Sequence, residues 1–127
     1  MKKNMNELQK FGFKGEDIAA KYLINKGYTI RHRNWRTHHI ELDIIAENKD
    51  FIVVVEVKSR RNDKFCHPSD AVNYNKIKHI VNATQAYIFK YNINKDIRFD
   101  IISIIPTLDG NFEIEHQDDA FVPPIGR

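Results

Sequence analysis

Two carboxylates and a lysine stand where a β-hairpin would bring them together. Asp43 lies in IELDIIA, Glu56 and Lys58 lie in VVVEVK, and Asn48, Lys49 and Asp50 supply turn residues between them. With Lys49 and Asp50 as the central turn residues, Asp43 falls opposite Glu56 and Glu41 opposite Lys58. Side chains alternate along a strand, so all four would project from one face. Opposed Cβ atoms lie roughly 4.5–5.5 Å apart, where like charges repel, so the carboxylate pair calls for a cation. Mg²⁺ or Mn²⁺, hard ions that take oxygen ligands and keep several waters, suit that place. Desolvation and a nearby metal would both lower the pKa of Lys58. A neutral amine could orient or deprotonate the attacking water, and a charged one could stabilise phosphorane charge. These are the minimum parts for hydrolysing a phosphodiester. The bland alternative is a solvated E-x-K pair on an exposed strand. The run FIVVV ahead of it argues for a buried strand instead, where charges without partners are costly.

The elements that must position these residues follow from periodicity. A first helix is predicted over residues 7–26, stopped by Gly27, with Gly12, Gly15, Glu16, Ala19, Ala20 and Leu23 on one face. Small residues there would let the helix lie close to a sheet, and Glu16 is an odd carboxylate to find among them. Strands are predicted over residues 28–34, 40–46 and 51–58. A loop over 62–68 leads to a second helix from residue 69 or 70 to 90, whose apolar stripe includes Ala71, Val72, Ile77, Ile80, Val81, Thr84, Tyr87 and Ile88. A fourth strand over 97–105 turns at Asp109-Gly110 into a short fifth over 112–115. The order α-β-β-β-α-β, with a terminal hairpin extension, calls for an α/β fold with a mixed sheet flanked by helices. No repeats or linkers divide the chain of 127 residues, so one domain is expected, with its core over about residues 7–121.

Composition, 42% hydrophobic and 29% charged, is that of a globular chain. No apolar run approaches the roughly 20 residues that span a bilayer. MKKNMNELQK has bases but no apolar segment behind them, so no secretory signal and a cytoplasmic location are expected. The single Cys66 cannot form an internal disulfide. Residues 1–108 carry 19 Lys and Arg against 12 Asp and Glu, whereas from Asp109 onward five acids face one Arg. A basic body suits a phosphate polymer, although a solvated basic surface would look the same.

Taken together, D-x₁₂-E-x-K on a hairpin after an initial helix resembles the PD-(D/E)xK nuclease superfamily. More closely, the chain resembles the uncharacterised YraN-like family of bacterial proteins. The matching segments are GEDIAAKYLINKGYTIRHRNWR (15–36), IELDIIA (40–46), VVEVKSR (54–60), PSDAVNYNK (68–76), RFDIISI (98–104) and the closing HQDDAF (116–121). The family pattern usually has Gly where Ile40 stands. The resemblance implies a restriction-endonuclease-like fold close to archaeal Holliday-junction resolvases. It also implies Asp43 and Glu56 as metal ligands, Lys58 as the catalytic lysine, and Glu16 as the first-helix carboxylate that completes the set.

Other residues carry weaker signals. RHRNWRTHH (31–39) interleaves bases with one Trp. Arg33 and Arg36 suit phosphate contact, whereas Trp35 fits better as packing at the core edge than as a base-stacking platform. His32, His38 and His39 lack the spacing of a zinc site. Arg60, Arg61 and Lys64 could line the mouth of the site, and Lys76 on the second helix could reach a phosphate. Arg98 and Asp100, two apart on a strand, share a face and pair structurally. Cys66 beside His67 is weak evidence for a nucleophile. The expected function is metal-dependent hydrolysis of DNA, acting on branched or structured substrates. Cutting a junction symmetrically would need a homodimer. The alternative is a non-catalytic nucleic-acid-binding module in a DNA- or RNA-processing assembly.

Overall fold

The hairpin turn decides where the candidate residues fall. Asn48 Oδ1 accepts the backbone N–H groups of Asp50 (2.9 Å) and Phe51 (2.8 Å), and Asn48 N donates to Phe51 O (3.0 Å). This is the side-chain turn expected of Asn before a charged pair. It sets the pairing Glu47↔Ile52, Ala46↔Val53, Ile45↔Val54 and Ile44↔Val55, the register predicted from Lys49 and Asp50 as central residues.

The computed structural model describes residues 15–59 and 74–121. The elements are α1 (Gly15–Asn25), β1 (Thr29–Thr37), β2 (Ile40–Glu47), β3 (Phe51–Ser59), α2 (Tyr74–Tyr91), β4 (Asp96–Pro106) and β5 (Phe112–Gln117). One five-stranded sheet runs in the order β1-β2-β3-β4-β5. β3 and β4 are parallel, and the other neighbours are antiparallel. The fold is therefore the expected mixed α/β sheet with two helices, in line with a restriction-endonuclease-like core. Gly12, the earlier part of the first helix, Arg60, Arg61, Lys64, Cys66, His67, Ala71, Val72 and the loop over 62–68 lie outside the described residues.

Each face of the sheet buries one helix. Ala19, Ala20 and Leu23 of α1 pack with Ile44, Ala46, Val53, Val55, Ile102 and Ile104. On the other face Ile80, Ala83 and Tyr87 of α2 pack with Leu42, Ile45, Ile52, Val54 and Phe99. Central β3 feeds both cores, which is why its residues 52–55 read as an unbroken apolar run. α1 approaches closely because it starts with glycine: a Cβ on Gly15 would lie 1.9 Å from Ser59 Oγ. It ends where Gly27 takes φ +99° and Tyr28 N donates to Leu23 O (3.0 Å).

β1 continues three residues beyond the predicted end, and its register against β2 shifts once, between Ile30 and His32. Asn34 has φ +52°, and the β1–β2 ladder passes from Arg33↔Ile44 to Trp35↔Leu42 without a pair at Asn34 and Asp43. On β2, Leu42 belongs to the α2-side core and Ile44 to the α1-side core, although strict alternation would put them together. Asn tolerates left-handed backbone better than most residues, so the irregularity is accommodated there.

The predicted Arg98–Asp100 pair forms, and it is bidentate: Nε donates at 2.9 Å and Nη2 at 2.8 Å. It extends into a network that spacing did not reveal. Asp100, fully buried, also receives His116 Nε2 (2.7 Å) and the N–H of Asp119 (3.1 Å). Arg98 Nη2 further donates to Tyr28 OH (2.6 Å), and Tyr22 OH bonds His116 Nδ1 (3.1 Å). Burial by itself would raise the Asp100 pKa, but the His116 and Arg98 hydrogen bonds outweigh it and hold the group low. The network ties β5 and the closing segment to β4, helped by Ala120 N donating to Phe99 O (2.7 Å) and by Phe121 stacked on Phe99 at 5.0 Å.

Candidate active site

Strand direction gathers the candidate residues at one end of the sheet. The start of β2 and the end of β3 share that end, because the two strands are antiparallel. Gly15 contacts Ser59 there, which brings in the first turn of α1. The first turn of α2 arrives through Lys76, whose Nζ lies 3.1 Å from Glu56 Oε1.

Asp43 sits where the regular ladder ends. Beyond Ile44↔Val55 the strands no longer pair, and Asp43 Oδ2 instead accepts the backbone N–H of Val57 at 2.9 Å. A side chain thus takes the donor that a carbonyl would take in a continued ladder. The ladder therefore stops one pair short of the predicted Asp43–Glu56 opposition, although the Glu56 charge still acts on Asp43 across the gap. Glu41, predicted opposite Lys58, instead faces β1 and lies 3.5 Å from Arg36 Nε.

Burial and crowding of like charge push the Asp43 carboxyl up to about 7, chiefly through desolvation and then through Glu56, with a smaller push from Glu16. The Val57 hydrogen bond and the Lys76 charge oppose the rise. Lys58 moves down to about 8, first because it is half-buried and then because Lys76 hydrogen-bonds and repels it; Glu56 and Asp43 counter this. Burial works to lower Lys76 as well, but its hydrogen bonds to Lys58 and Glu56 and the nearby carboxylate charges raise it. Burial and the neighbouring Lys76 thus move Lys58 toward neutrality, while the carboxylates hold Lys76 charged.

Glu16 is held at the margin of this group by a residue whose spacing gave it no chemical role. Asn34 Nδ2 donates to Glu16 Oε1 at 3.0 Å, from the same backbone irregularity that frees Asp43 from the ladder. An Asn between strand-forming residues was the available signal, since Asn is the residue type that reads as a local break. Next to it Arg33 is ion-paired to Asp17, so α1 is fastened to β1 by two adjacent polar contacts.

The remaining candidates fall into place around this centre. Arg36 is largely exposed beside Glu41. Lys76, predicted as a phosphate contact, lies inside the acid–lysine cluster, while Arg60 lies outside the described residues. Trp35 packs edge-on against Tyr87 with ring centroids 5.1 Å apart, and His32 Nδ1 lies 2.8 Å from Tyr87 OH. His38 and His39 form the β1–β2 turn with φ of +50° and +67°. Among the described residues no helix is long and apolar enough to cross a membrane.

The donor set fits a hard divalent cation. Asp43 and Glu56 are two oxygen donors whose mutual repulsion a cation would relieve, and Mg²⁺ is commonly held by one or two carboxylates with water completing its shell. Among the described residues no three His, Cys, Asp or Glu side chains close on one point.

Comparison with known proteins places the chain. A family model described as Uncharacterised protein family UPF0102 matches residues 15–104. A UPF0102 protein of Phocaeicola vulgatus is 48% identical over 121 residues, covering 95% of this chain and 99% of that protein. One of Bacteroides thetaiotaomicron is 47% identical over the same length and coverage. One of Persephonella marina is 41% identical over 111 residues, covering 87% of this chain and 91% of that protein. The match extends from the glycine that opens α1 through the hairpin to β4, and the chain belongs to the UPF0102 family, the YraN-like family that its motifs resemble.

Proposed function

We propose that this protein is a metal-dependent DNA endonuclease whose working groups are Asp43, Glu56 and Lys58, assisted by Glu16. The observation that carries the reading is the convergence at one end of the sheet: Asp43 leaves the β2–β3 ladder to hold the Val57 N–H, beside the nearly buried Glu56 and the half-buried Lys58, with burial raising the Asp43 carboxyl and lowering the Lys58 amine. A carboxyl moved up and an amine moved down, both toward neutral pH, are what acid–base chemistry requires of its groups.

Asp43 and Glu56 would hold Mg²⁺ or Mn²⁺, which when bound supplies Lewis-acid stabilisation of the charge that develops on phosphate. Lys58 contributes the proton-handling group: as an amine it accepts a proton from the attacking water, and as an ammonium it offsets charge on the non-bridging oxygens. Asp43 Oδ2 is held by the Val57 N–H, and its other oxygen would serve the ligand. Glu16, oriented by Asn34, adds negative potential at the site and suits a water held between it and the cation. Arg36 at the exposed rim, with Arg33 nearby, suits contact with the nucleic-acid backbone. Branched or otherwise structured DNA is the substrate class favoured by the likeness to junction resolvases, and a homodimer is the assembly that symmetric cutting would use.

A second reading, a nucleic-acid-binding module without catalysis, draws on one observation. Lys76 already neutralises Glu56, so the cluster is self-compensated without a metal. Cleavage of labelled duplex, single-stranded and four-way-junction DNA, with Mg²⁺ or Mn²⁺ and with EDTA, separates the two. Metal-dependent cutting that disappears in Asp43→Asn and Lys58→Ala supports the nuclease. Equal, salt-dependent binding by all three proteins without cutting supports the module.

A further inference from the structure

Glu56 and its partner differ in freedom. The Glu56 side chain is 7% exposed at the end of the central strand, and the Lys76 side chain is 42% exposed on the first turn of α2. The 3.1 Å contact between them puts an ammonium directly on a nearly buried carboxylate whose charge also acts on Asp43. Removing one partner of such a pair leaves an uncompensated charge at high cost. Lysine, a compact charge on a flexible four-carbon stem, can leave by rotating toward solvent, whereas Glu56 cannot move without disturbing β3.

We infer that Lys76 is a resident counter-cation of the site, occupying Glu56 until a divalent ion displaces it. The inference rests on the metal-centre reading given above and adds a regulatory step to it. A divalent ion and the Lys76 ammonium compete for the same carboxylate, so occupancy of the site by one excludes the other at Glu56. Once displaced, Lys76 keeps its charge at the rim, where it can meet a substrate phosphate. A site built this way stays folded and electrically balanced when metal is scarce. It also ties the phosphate-binding charge to metal occupancy.

The test is Mn²⁺ binding, measured by calorimetry and by the loss of the free Mn²⁺ spin signal, with no DNA present. Wild type is compared with Lys76→Met, which keeps the stem and removes the charge, and with Lys76→Arg, which keeps a cation. Thermal unfolding with and without Mn²⁺ confirms that each variant is folded. Lys76→Met is expected to bind Mn²⁺ about tenfold more tightly, at the low end of couplings between close charge pairs. Its melting temperature should be lower than wild type without the ion and gain more when the ion is added. Lys76→Arg should bind no more tightly than wild type. If wild type binds at Asp43 and Glu56 and Lys76→Met binds no better, the inference is overturned and the metal centre stands. If neither protein binds Mn²⁺, or Asp43→Asn binds as well as wild type, both are overturned.

Discussion

Neutralising Asp43 should make the metal-free protein more stable, which is the reverse of what deleting a structural carboxylate does. Asn at position 43 keeps an oxygen that can accept the Val57 N–H, so the local backbone contact survives. What disappears is a charge that burial and Glu56 disfavour. The sign follows from linkage. Asp43 is raised in the folded state, from 3.8 to about 7, so the folded protein holds a proton that the unfolded chain has already released across that window. The Asp43 contribution to wild-type stability is therefore fully present below about pH 4 and is lost as pH rises through about 7. A tenfold change in proton affinity corresponds to about 1.4 kcal/mol, so the rise from 3.8 to about 7 sets a ceiling of about 4 kcal/mol. Solvent screening over the exposed part of the carboxyl brings the expected gap to roughly 2–3 kcal/mol. Urea unfolding of wild type and Asp43→Asn in EDTA, between pH 4.5 and 8, reads this directly. The two stability curves should lie close together at the acid end and separate as pH rises, with the variant above. Added Mg²⁺ should then raise wild type and leave the variant unmoved. Parallel curves, or a variant less stable than wild type at pH 8, would refute the argument that Asp43 is strained by burial and by its neighbours.

The other expectations concern residues that hold the site and the sheet in place. Asn34→Gly keeps access to the left-handed backbone while removing the amide that holds Glu16. It should reduce the cleavage rate several-fold at saturating substrate with little change in melting temperature, whereas Asn34→Ala should add about 1 kcal/mol of backbone strain visible in unfolding. A Gly variant that cuts at the wild-type rate would remove Asn34 from the site. Arg98→Met strands the buried Asp100 carboxylate with His116 and the Asp119 N–H as its remaining partners, and should cost about 3–5 kcal/mol in urea unfolding. A loss below about 1 kcal/mol, the level of an ordinary surface pair, would mean that the network is not what anchors β5.

The hairpin shows how far local chemistry reaches. Asn48 before Lys49 and Asp50 specifies a two-residue turn, and the apolar alternation on both sides admits one register, so the pairing from Glu47↔Ile52 to Ile44↔Val55 is readable without a fold. Arg98 and Asp100 are equally readable, because a spacing of two on a strand puts both on one face. The motif and its family resemblance likewise point to Asp43, Glu56, Lys58 and Glu16 as one group. What pattern cannot carry is the place where pattern breaks. Leu42 and Ile44 are both apolar, so nothing in their identity tells that they enter opposite cores, and between them Asp43 leaves the ladder for the Val57 N–H. The same break, seen from β1, is why periodicity ends the strand at Asn34 and why it hides the hold of Asn34 on Glu16.

Contacts across long sequence distance belong to the tertiary structure alone. By pattern Lys76 is a lysine on the polar side of a helix, and only the packing of α2 against β3 sets it on Glu56. Tyr22, Tyr28 and His116 join Arg98 and Asp100 only because α1 and β5 lie over and beside β4. The amino-acid sequence by itself determined the order of the elements, the hairpin register and which residues were candidates for the site, since these follow from neighbours along the chain. The tertiary structure decided which charges face one another and how far each is removed from water, and those two quantities raise the Asp43 carboxyl and lower the Lys58 amine.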